Sequence, residues 1–271
     1  GGEYVLLKHG ETRYYLMGPE DGSKVVLVHG LSWPSPIWDE VAAGLVKQGH
    51  RVLLYDLYGR GYSECPDVVN NADLYVEQLS ELLEHVGWSH CSIVGLSMGG
   101  GIVAAFTARY PEKVERLGII AGAGLMSESH MPLIGKLAGM PLVDRLVMGI
   151  PYDTLARSFQ RAVADNVAEK VLVNAWQMSH NPGALRSVAR SACDFPMTGL
   201  HKEYAAVGRI PDLPVLAIWS PDDKIVPFEC TIHLRQAIPH VQLSIVEDGG
   251  HDLVVSRVPQ VTDALTTFLA A

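Results

Sequence analysis

The segment Gly95-Leu96-Ser97-Met98-Gly99 constrains the fold of this chain more than any other feature. An apolar run, Cys91–Val94, precedes it, and a run of small and apolar residues, 100–105, follows it. This order predicts a strand, a sharp turn and a helix, the arrangement known as a nucleophile elbow. Such a turn strains the backbone at its serine and requires small flanking residues, because a Cβ there would meet the strand or the helix. The pattern therefore indicates Ser97 as a nucleophile with its hydroxyl raised above the edge of a sheet.

Length and composition fit one large α/β domain, with room for an inserted subdomain. The chain has 271 residues, 48% of them hydrophobic, and a formal net charge of −9. That charge disfavours nucleic acid and anionic membrane surfaces as partners. No apolar run reaches the roughly eighteen residues of a transmembrane helix. We expect a monomer or homodimer that acts on a small molecule.

The cysteines are widely spaced and form no Cys-x-x-Cys pair, so neither a zinc site nor a redox pair is indicated. They are Cys65, Cys91, Cys193 and Cys230. We expect reduced thiols and a cytoplasmic protein. The chain begins with Gly-Gly rather than Met, a start that is equally compatible with removal of a targeting segment.

Strand and helix patterns alternate along the first half, which predicts a mostly parallel, doubly wound sheet with helices on both faces. An antiparallel hairpin opens it. Eight strands are predicted, at 4–7, 13–16, 25–28, 51–55, 91–94, 117–120, 215–219 and 241–246. Helices are predicted at 38–48, at 73–86, from the elbow to about 110, and at 258–269. The expected fold class is thus α/β with an eight-stranded sheet.

The alternation stops between about Leu125 and Leu200, where helical stretches occur without a convincing strand. This predicts a helical cap, 125–200, inserted into a core formed by 1–124 and 201–271. The cap is rich in methionine, and we expect most of these side chains to pack against the core and a few to line an adaptable apolar pocket. They are Met126, Met131, Met140, Met148, Met178 and Met197.

A serine hydroxyl needs a histidine to accept its proton, and that histidine needs a carboxylate to fix its tautomer. In a doubly wound sheet these groups follow the carboxyl ends of strands. His251 lies just beyond the strand that ends at Val246, after two glycines that let the loop turn back. Asp222 and Asp223 both follow the strand 215–219, and their spacing alone leaves the acid open between them.

The chemistry also requires backbone amides that stabilise the oxyanion of an acyl-transfer intermediate. The amide of Met98 follows the nucleophile at a helix N-terminus, where the helix dipole assists it. The second donor is expected in the loop after Val28, where Gly30 lets the chain turn and Leu31 supplies the amide. His29 is interpreted as packing beneath this loop.

With these motifs in order, the chain resembles the α/β-hydrolase superfamily, in particular its capped serine hydrolases. These include small esterases, monoacylglycerol lipases and carbon–carbon bond hydrolases. The motifs that carry the resemblance are His29-Gly30, Asp56–Ser63, Gly95–Gly100, the loop of Asp223 and Gly250-His251. The stretch Asp56–Ser63 resembles the turn after the family's fourth strand, and its expected role is structural.

The resemblance implies a triad of Ser97, His251 and Asp223. The family's acid loop usually reads Gly-x-x-Asp-x-x-Val-Pro, and aligning Val226-Pro227 places the acid at Asp223, with Ser220 in place of the glycine. That departure keeps Asp222 as a reserve. A serine at the nucleophile position argues against haloalkane dehalogenases and epoxide hydrolases, which use a carboxylate.

The resulting expectation is a serine hydrolase of the carboxylesterase or lipase type, without metal or cofactor, that cleaves a small apolar carboxylic ester or lactone through an acyl-enzyme. Carbon–carbon bond cleavage with the same triad is the first alternative, and it calls for a cationic group in the cap. The candidates for that group are Arg145, Arg157, Arg161, Arg186 and Arg190. Two more hypotheses stay open: a receptor-like module that binds a small ligand, and acyl transfer to an acceptor other than water.

Overall fold

One sheet of eight strands organises the molecule. The computed structural model describes residues 2–130, 176–177, 180–181 and 183–270. The strands are β1 (Glu3–Leu7), β2 (Gly10–Met17), β3 (Lys24–Val28), β4 (Arg51–Tyr55), β5 (Cys91–Leu96), β6 (Val114–Ile120), β7 (Val215–Trp219) and β8 (Gln242–Ile245). The helices are α1 (Asp39–Lys47), α2 (Ala72–His85), α3 (Met98–Arg109), α4 (Ala184–Asp194), α5 (His201–Val207), α6 (Cys230–Ala237), α7 (Leu253–Ser256) and α8 (Val258–Ala270). Short 3-10 turns cover Ser35–Trp38, Pro111–Lys113 and Glu128–His130.

The strand order is β1-β2-β4-β3-β5-β6-β7-β8. The two pairings that involve β2 are antiparallel, and every other pairing is parallel. The prediction of an eight-stranded, mostly parallel α/β sheet that opens with an antiparallel hairpin is confirmed. Because β5 to β8 run parallel side by side, the loops that follow their carboxyl ends share one edge of the sheet.

The sheet separates two apolar cores, as expected when helices cover both faces of parallel strands. One core holds α2 and α3 and includes Leu79 and Phe106. The other holds α1 and α8 and includes Trp38, Leu45 and Leu265. Strands β5 and β7 are buried along their whole length, which explains why their sequences are continuous apolar runs rather than alternating ones.

Two helices illustrate how the sequence specifies its local structure. Helix α2 is amphipathic and begins at a polar cap, where the Asn71 side chain accepts a hydrogen bond from the Leu74 amide at 3.1 Å. Helix α3 has no polar face over its first ten residues, 98–107, all of which are buried. Three consecutive glycines near its start, 99–101, allow α3 to lie close beneath the sheet.

The structure extends the sequence predictions in detail. Strands β5 and β6 are longer than predicted, and the short helices α5, α6 and α7 were not predicted. Helix α4 falls inside the predicted cap, and Met126 and Met197 are buried. Most of the cap prediction lies outside the described residues, including Met131, Met140, Met148 and Met178, so its boundaries stay a prediction.

Two further expectations concern the chain as a whole. None of the four cysteines takes part in a disulfide bond, in agreement with the expectation of reduced thiols. In the described ranges, no helix combines the length and apolar character needed to cross a membrane.

Candidate active site

The turn between β5 and α3 has the backbone geometry that the sequence predicts. Ser97 has φ 57° and ψ −120°, a combination that non-glycine residues rarely adopt. A Cβ on Gly95 would overlap the carbonyl oxygen of Gly99, and a Cβ on Gly99 would overlap the carbonyl oxygens of Val28 and His29. Gly95 is therefore required for the sharp turn itself, and Gly99 for α3 to start against the end of β3.

Ser97 is accessible in an otherwise buried segment. From Cys91 to Thr107 it is the one residue that is not buried. Its backbone is held on two sides: the Ser97 amide donates to the Ile120 carbonyl at 2.9 Å, and the Ser97 carbonyl accepts from the Ala123 amide at 2.9 Å. The end of β6 and the loop after it thus hold the strained turn, and Ser97 is the residue of this turn that reaches solvent.

Asp223 and His251 are brought together. The Nδ1 of His251 lies 2.8 Å from Oδ2 of Asp223, whose side chain is fully buried. The other oxygen, Oδ1, accepts hydrogen bonds from the amides of Ile225 at 2.8 Å and Val226 at 2.9 Å. Hydrogen bonds from backbone amides favour the ionised carboxylate. Asp222, the reserve candidate, is exposed.

The residue that departs from the family pattern joins the two loops. Ser220 is fully buried, and its hydroxyl donates to the carbonyl of Gly249 at 2.7 Å. The same oxygen accepts from the amide of Asp222 at 3.2 Å. A glycine could make neither contact. Ser220 therefore links the acid loop to the loop that carries His251.

A neutral histidine, His29, holds the loop after β3 in place by hydrogen bonds. Burial lowers the pKa of His29 to about 4, so the ring is neutral near pH 7. The amide of Leu57 donates to Nε2 at 2.9 Å, which leaves the proton on Nδ1 to donate to the carbonyl of Gly30 at 2.8 Å. This agrees with the interpretation of His29 as packing beneath the loop.

The two expected oxyanion donors each follow a residue at the nucleophile position or next to it. A Cβ on Gly30 would be 3.2 Å from the Cβ of Ser97, so the loop passes close to the nucleophile position. Met98 is the first residue of α3. Within the described part of the chain, neither the Leu31 nor the Met98 amide donates a hydrogen bond. Among the described residues, both N–H groups are thus without a hydrogen-bond acceptor at the carboxyl edge of the sheet.

One contact of the expected triad is not made. Ser97, Asp223 and His251 follow β5, β7 and β8 at the same sheet edge, yet among the described residues no hydrogen bond joins Ser97 Oγ to His251. Catalytic hydrogen bonds of this kind are often long before substrate binds. The structure assembles the carboxylate–imidazole pair and holds the serine turn at the same edge.

The cationic candidates in the predicted cap divide into two groups. Arg186 and Arg190 lie 3.4 Å and 2.7 Å from Oδ1 of the exposed Asp67, which engages both at the surface. Arg145, Arg157 and Arg161 lie outside the described residues. In the described ranges, no group of three or more His, Cys, Asp or Glu side chains could hold a metal ion.

Sequence reasoning missed two side chains that hold the loop of Leu31. The Nε of Arg60 donates to the carbonyl of Leu31 at 2.8 Å. Gln177 donates to the carbonyl of Ser32 and accepts from the amide of Gly61 at 2.6 Å. The only hint in the sequence is a charged residue between two glycines, Gly59 and Gly61, in a stretch assigned a structural role.

Comparison with known proteins gives a consistent result. A family model for the alpha/beta hydrolase fold matches residues 24–257. A 2-hydroxymuconate semialdehyde hydrolase from a Pseudomonas species is 28% identical over 264 residues, which cover 92% of this chain and 87% of that protein. A bifunctional esterase/perhydrolase from Acinetobacter calcoaceticus is 29% identical over 240 residues, 83% of this chain and 84% of that protein.

The same fold occurs in solved structures. The enol-lactonase from Burkholderia xenovorans superposes with a TM-score of 0.80 at 21% identity, covering 99% of this chain and all of that one. The family model spans most of the chain, and the sheet order, the serine turn and the strand-end loops agree with it. The chain therefore belongs to the alpha/beta hydrolase family.

Proposed function

We propose that this protein is a serine hydrolase that cleaves a small apolar carboxylic ester or lactone through an acyl-enzyme. Ser97 is the nucleophile, His251 the general base and then the general acid, and Asp223 the carboxylate that orients the imidazole. The amides of Leu31 and Met98 form the oxyanion hole. The observation that carries the proposal is the 2.8 Å contact between His251 and the buried Asp223, at the sheet edge where Ser97 sits in a strained turn.

The proposed mechanism follows from these positions. Asp223 accepts the hydrogen bond of the Nδ1 proton of His251, which leaves Nε2 free to take the proton of the Ser97 hydroxyl. Ser97 Oγ then bonds to the carbonyl carbon, and the carbonyl oxygen becomes an oxyanion in front of the two amides. Collapse of this intermediate breaks the ester bond, and His251 gives its proton to the leaving alcohol. Water repeats the sequence on the acyl-enzyme and releases the acid.

Two relatives support this choice of chemistry and of substrate size. The protein from Acinetobacter calcoaceticus is an esterase/perhydrolase of 29% identity, which supports ester cleavage. The name of the Pseudomonas relative specifies a small organic compound, which supports a small substrate. The proposed triad has no need of a metal or cofactor.

Carbon–carbon bond cleavage is the second candidate, and two relatives favour it specifically. The Pseudomonas protein is a 2-hydroxymuconate semialdehyde hydrolase, and a Comamonas testosteroni relative of 26% identity is a 2-hydroxy-6-oxo-6-phenylhexa-2,4-dienoate hydrolase. The substrates in both names carry a carboxylate, which a cation would have to bind. Arg186 and Arg190 are already paired with Asp67, so that cation would have to come from elsewhere in the chain.

Labelling with a fluorophosphonate tests the nucleophile. The reagent should attach to Ser97 of the wild-type protein, and Ser97→Ala should abolish labelling and lower kcat by roughly 10⁴–10⁶, by analogy with triad knockouts. Ser89→Ala, at an exposed position, is the control and should label fully. Full activity of Ser97→Ala would refute the proposal.

A substrate panel then separates the two reactions. Aryl esters of increasing acyl length should be turned over repeatedly, with a preference for short to medium chains. A coloured 2-hydroxy-6-oxodienoate should be turned over slowly or not at all. Faster loss of that colour than ester hydrolysis would assign the chain to carbon–carbon bond cleavage. Binding of either compound without turnover would instead support a receptor-like role.

A further inference from the structure

Arg60 is a deeply buried cation beside the proposed oxyanion hole. It is fully buried, in a tight turn between Gly59 at φ 77° and Gly61 at φ 55°. Its Nε donates to the carbonyl of Leu31 at 2.8 Å. Its Nη1 is within hydrogen-bond distance of three further oxygens, which belong to the Tyr58 carbonyl (2.9 Å), the Tyr75 hydroxyl (2.9 Å) and the Ser187 hydroxyl (3.0 Å).

The charge of Arg60 is not paired with a carboxylate in the described part of the chain. A guanidinium stays protonated at every accessible pH, yet these four hydrogen-bond partners are neutral oxygens, and among the described residues Nη2 is buried without a partner. The buried carboxylate of Asp56 instead lies 3.6 Å from Arg13 and accepts from the amides of Ser35 and Tyr62. A buried charge without a carboxylate partner is costly to the fold, and residues that break such a rule are expected at functional sites.

The loop geometry connects Arg60 to the proposed oxyanion hole. Leu31 lies between two peptide groups that are both anchored: His29 holds the Gly30 carbonyl, and Arg60 holds the Leu31 carbonyl. In a trans peptide the N–H points opposite to the C=O of the same unit. The bond to Gly30 therefore sets the direction of the Leu31 N–H, and the bond from Arg60 fixes the other side of the same residue.

We propose that Arg60 is a positioning residue of the oxyanion hole, whose buried cation serves as the fixed counter-charge of the oxyanion that forms at the Leu31 amide. This rests on the proposed serine hydrolase function. Arg60 does not touch the substrate; it acts through the peptide of Leu31. A preorganised charge in a site shielded from water stabilises a transition state in which the opposite charge develops. The ground state, with a neutral ester, gains much less.

Two substitutions at position 60 separate positioning from charge. Arg60→Lys keeps the charge, but only a planar guanidinium has enough donors in a rigid fork to bond all four oxygens together. Arg60→Gln removes the charge and keeps one amide donor. If the charge acts on the oxyanion, the glutamine variant should lose more activity than the lysine variant.

The experiment measures kcat, KM and the affinity for a trifluoromethyl ketone, which forms a tetrahedral adduct with a serine nucleophile. We expect Arg60→Gln to lower kcat by about 100-fold, near the effect of removing one oxyanion-hole donor. Arg60→Lys should lower kcat by about tenfold, which is less than that effect. KM should stay within about threefold, and ketone affinity should fall in step with kcat/KM. Arg109→Gln and Arg109→Lys are matched controls, because Arg109 pairs with Asp73 at the surface, at the far end of α3 from Ser97.

Three results would overturn the proposal. In the first, the Arg60→Gln protein is folded and its kcat stays within about threefold of the wild-type value, a much smaller effect than removal of one oxyanion-hole donor produces. In the second, the loss is in KM alone, without a parallel loss of ketone affinity. In the third, both variants fail to show a cooperative thermal transition, which would assign Arg60 to the fold.

The nucleophile assay separates this proposal from the proposed function. If Ser97→Ala is inactive and unlabelled while the Arg60 variants behave like the wild type, only the role of Arg60 fails. If Ser97→Ala keeps full activity, the serine hydrolase mechanism itself fails, whatever the Arg60 variants do.

Discussion

At the residue scale, two adjacent carboxylates have opposite environments. Asp223 is buried against His251, and Asp222 is exposed one residue earlier. We expect Asp223→Asn to lower kcat by about 10⁴, because an amide can stabilise the wrong imidazole tautomer. Asp222→Asn should leave kcat nearly unchanged. Steady-state kinetics on an aryl ester checks the ranking, and the reverse order would move the acid to Asp222.

Ser220 supports a second prediction at this scale. Ser220→Ala removes the hydroxyl that donates to the Gly249 carbonyl and leaves that acceptor without its partner. We expect a loss of about 1–3 kcal/mol in the free energy of unfolding and a several-fold lower kcat, since the loop of His251 loses its link to the acid loop. Urea unfolding and kinetics measure both effects. Ser256→Ala, in the short helix α7, is the control, and an equal loss there would argue against a specific link.

At the scale of the element, the start of α3 depends on the absence of side chains. A Cβ at Gly99 would lie 2.4 Å from a backbone oxygen, whereas one at Gly101 would lie 2.9 Å from the movable end of Leu200 and 3.0 Å from the carbonyl oxygen of Ala123. Gly99→Ala should therefore lower the free energy of unfolding by about 3 kcal/mol. Gly101→Ala should be much milder, since alanine also gains about 1 kcal/mol of helix propensity. Equal losses in urea unfolding would contradict this interpretation of the turn.

The elements also show which structure can be predicted from sequence. Strands β4 and β7 have the predicted bounds, because runs of buried apolar residues mark parallel strands. Helices α6 and α7 have eight and four residues, too few turns for a clear apolar period.

The candidate site also has features that can be predicted from the sequence and features that cannot. The loops of His251 and of the two aspartates can be predicted, because site residues follow the carboxyl ends of parallel strands and the strand ends are visible in the sequence. The choice between Asp222 and Asp223 depends on side-chain direction, which reverses within one residue. The bonds of Arg60 and Gln177 to the loop of Leu31 join positions 29 and 145 residues apart. Such contacts depend on tertiary packing, which no local pattern encodes.

At the scale of the whole molecule, His29 couples stability to pH. Burial lowers its pKa to about 4 in the folded state, from an ordinary value of 6.5. Between these values the unfolded chain binds the proton more readily, so the free energy of unfolding should rise with pH. The contribution is complete above about pH 6.5 and is lost as the pH falls towards 4; it is on the order of 3 kcal/mol.

The measurement compares unfolding free energies at several pH values for wild type and His29→Asn. The variant should show a smaller increase in stability between about pH 4 and 6.5, because it lacks this titrating group. His240→Asn, at an exposed position, should keep the wild-type slope. An unchanged slope in His29→Asn would assign the acid sensitivity to other groups.

Helix α4 is attached to the core by two kinds of contact that respond differently to ionic strength. Arg186 and Arg190 reach the exposed Asp67, where dissolved ions screen the attraction. Asn70 instead donates from a buried position to the hydroxyls of Ser187 and Ser191, at 2.8 Å and 3.2 Å. Concentrated salt should therefore weaken the surface ion pairs and leave α4 bound to the core through the side-chain amide of Asn70. The contact between α4 and the core is thus expected to persist at high ionic strength.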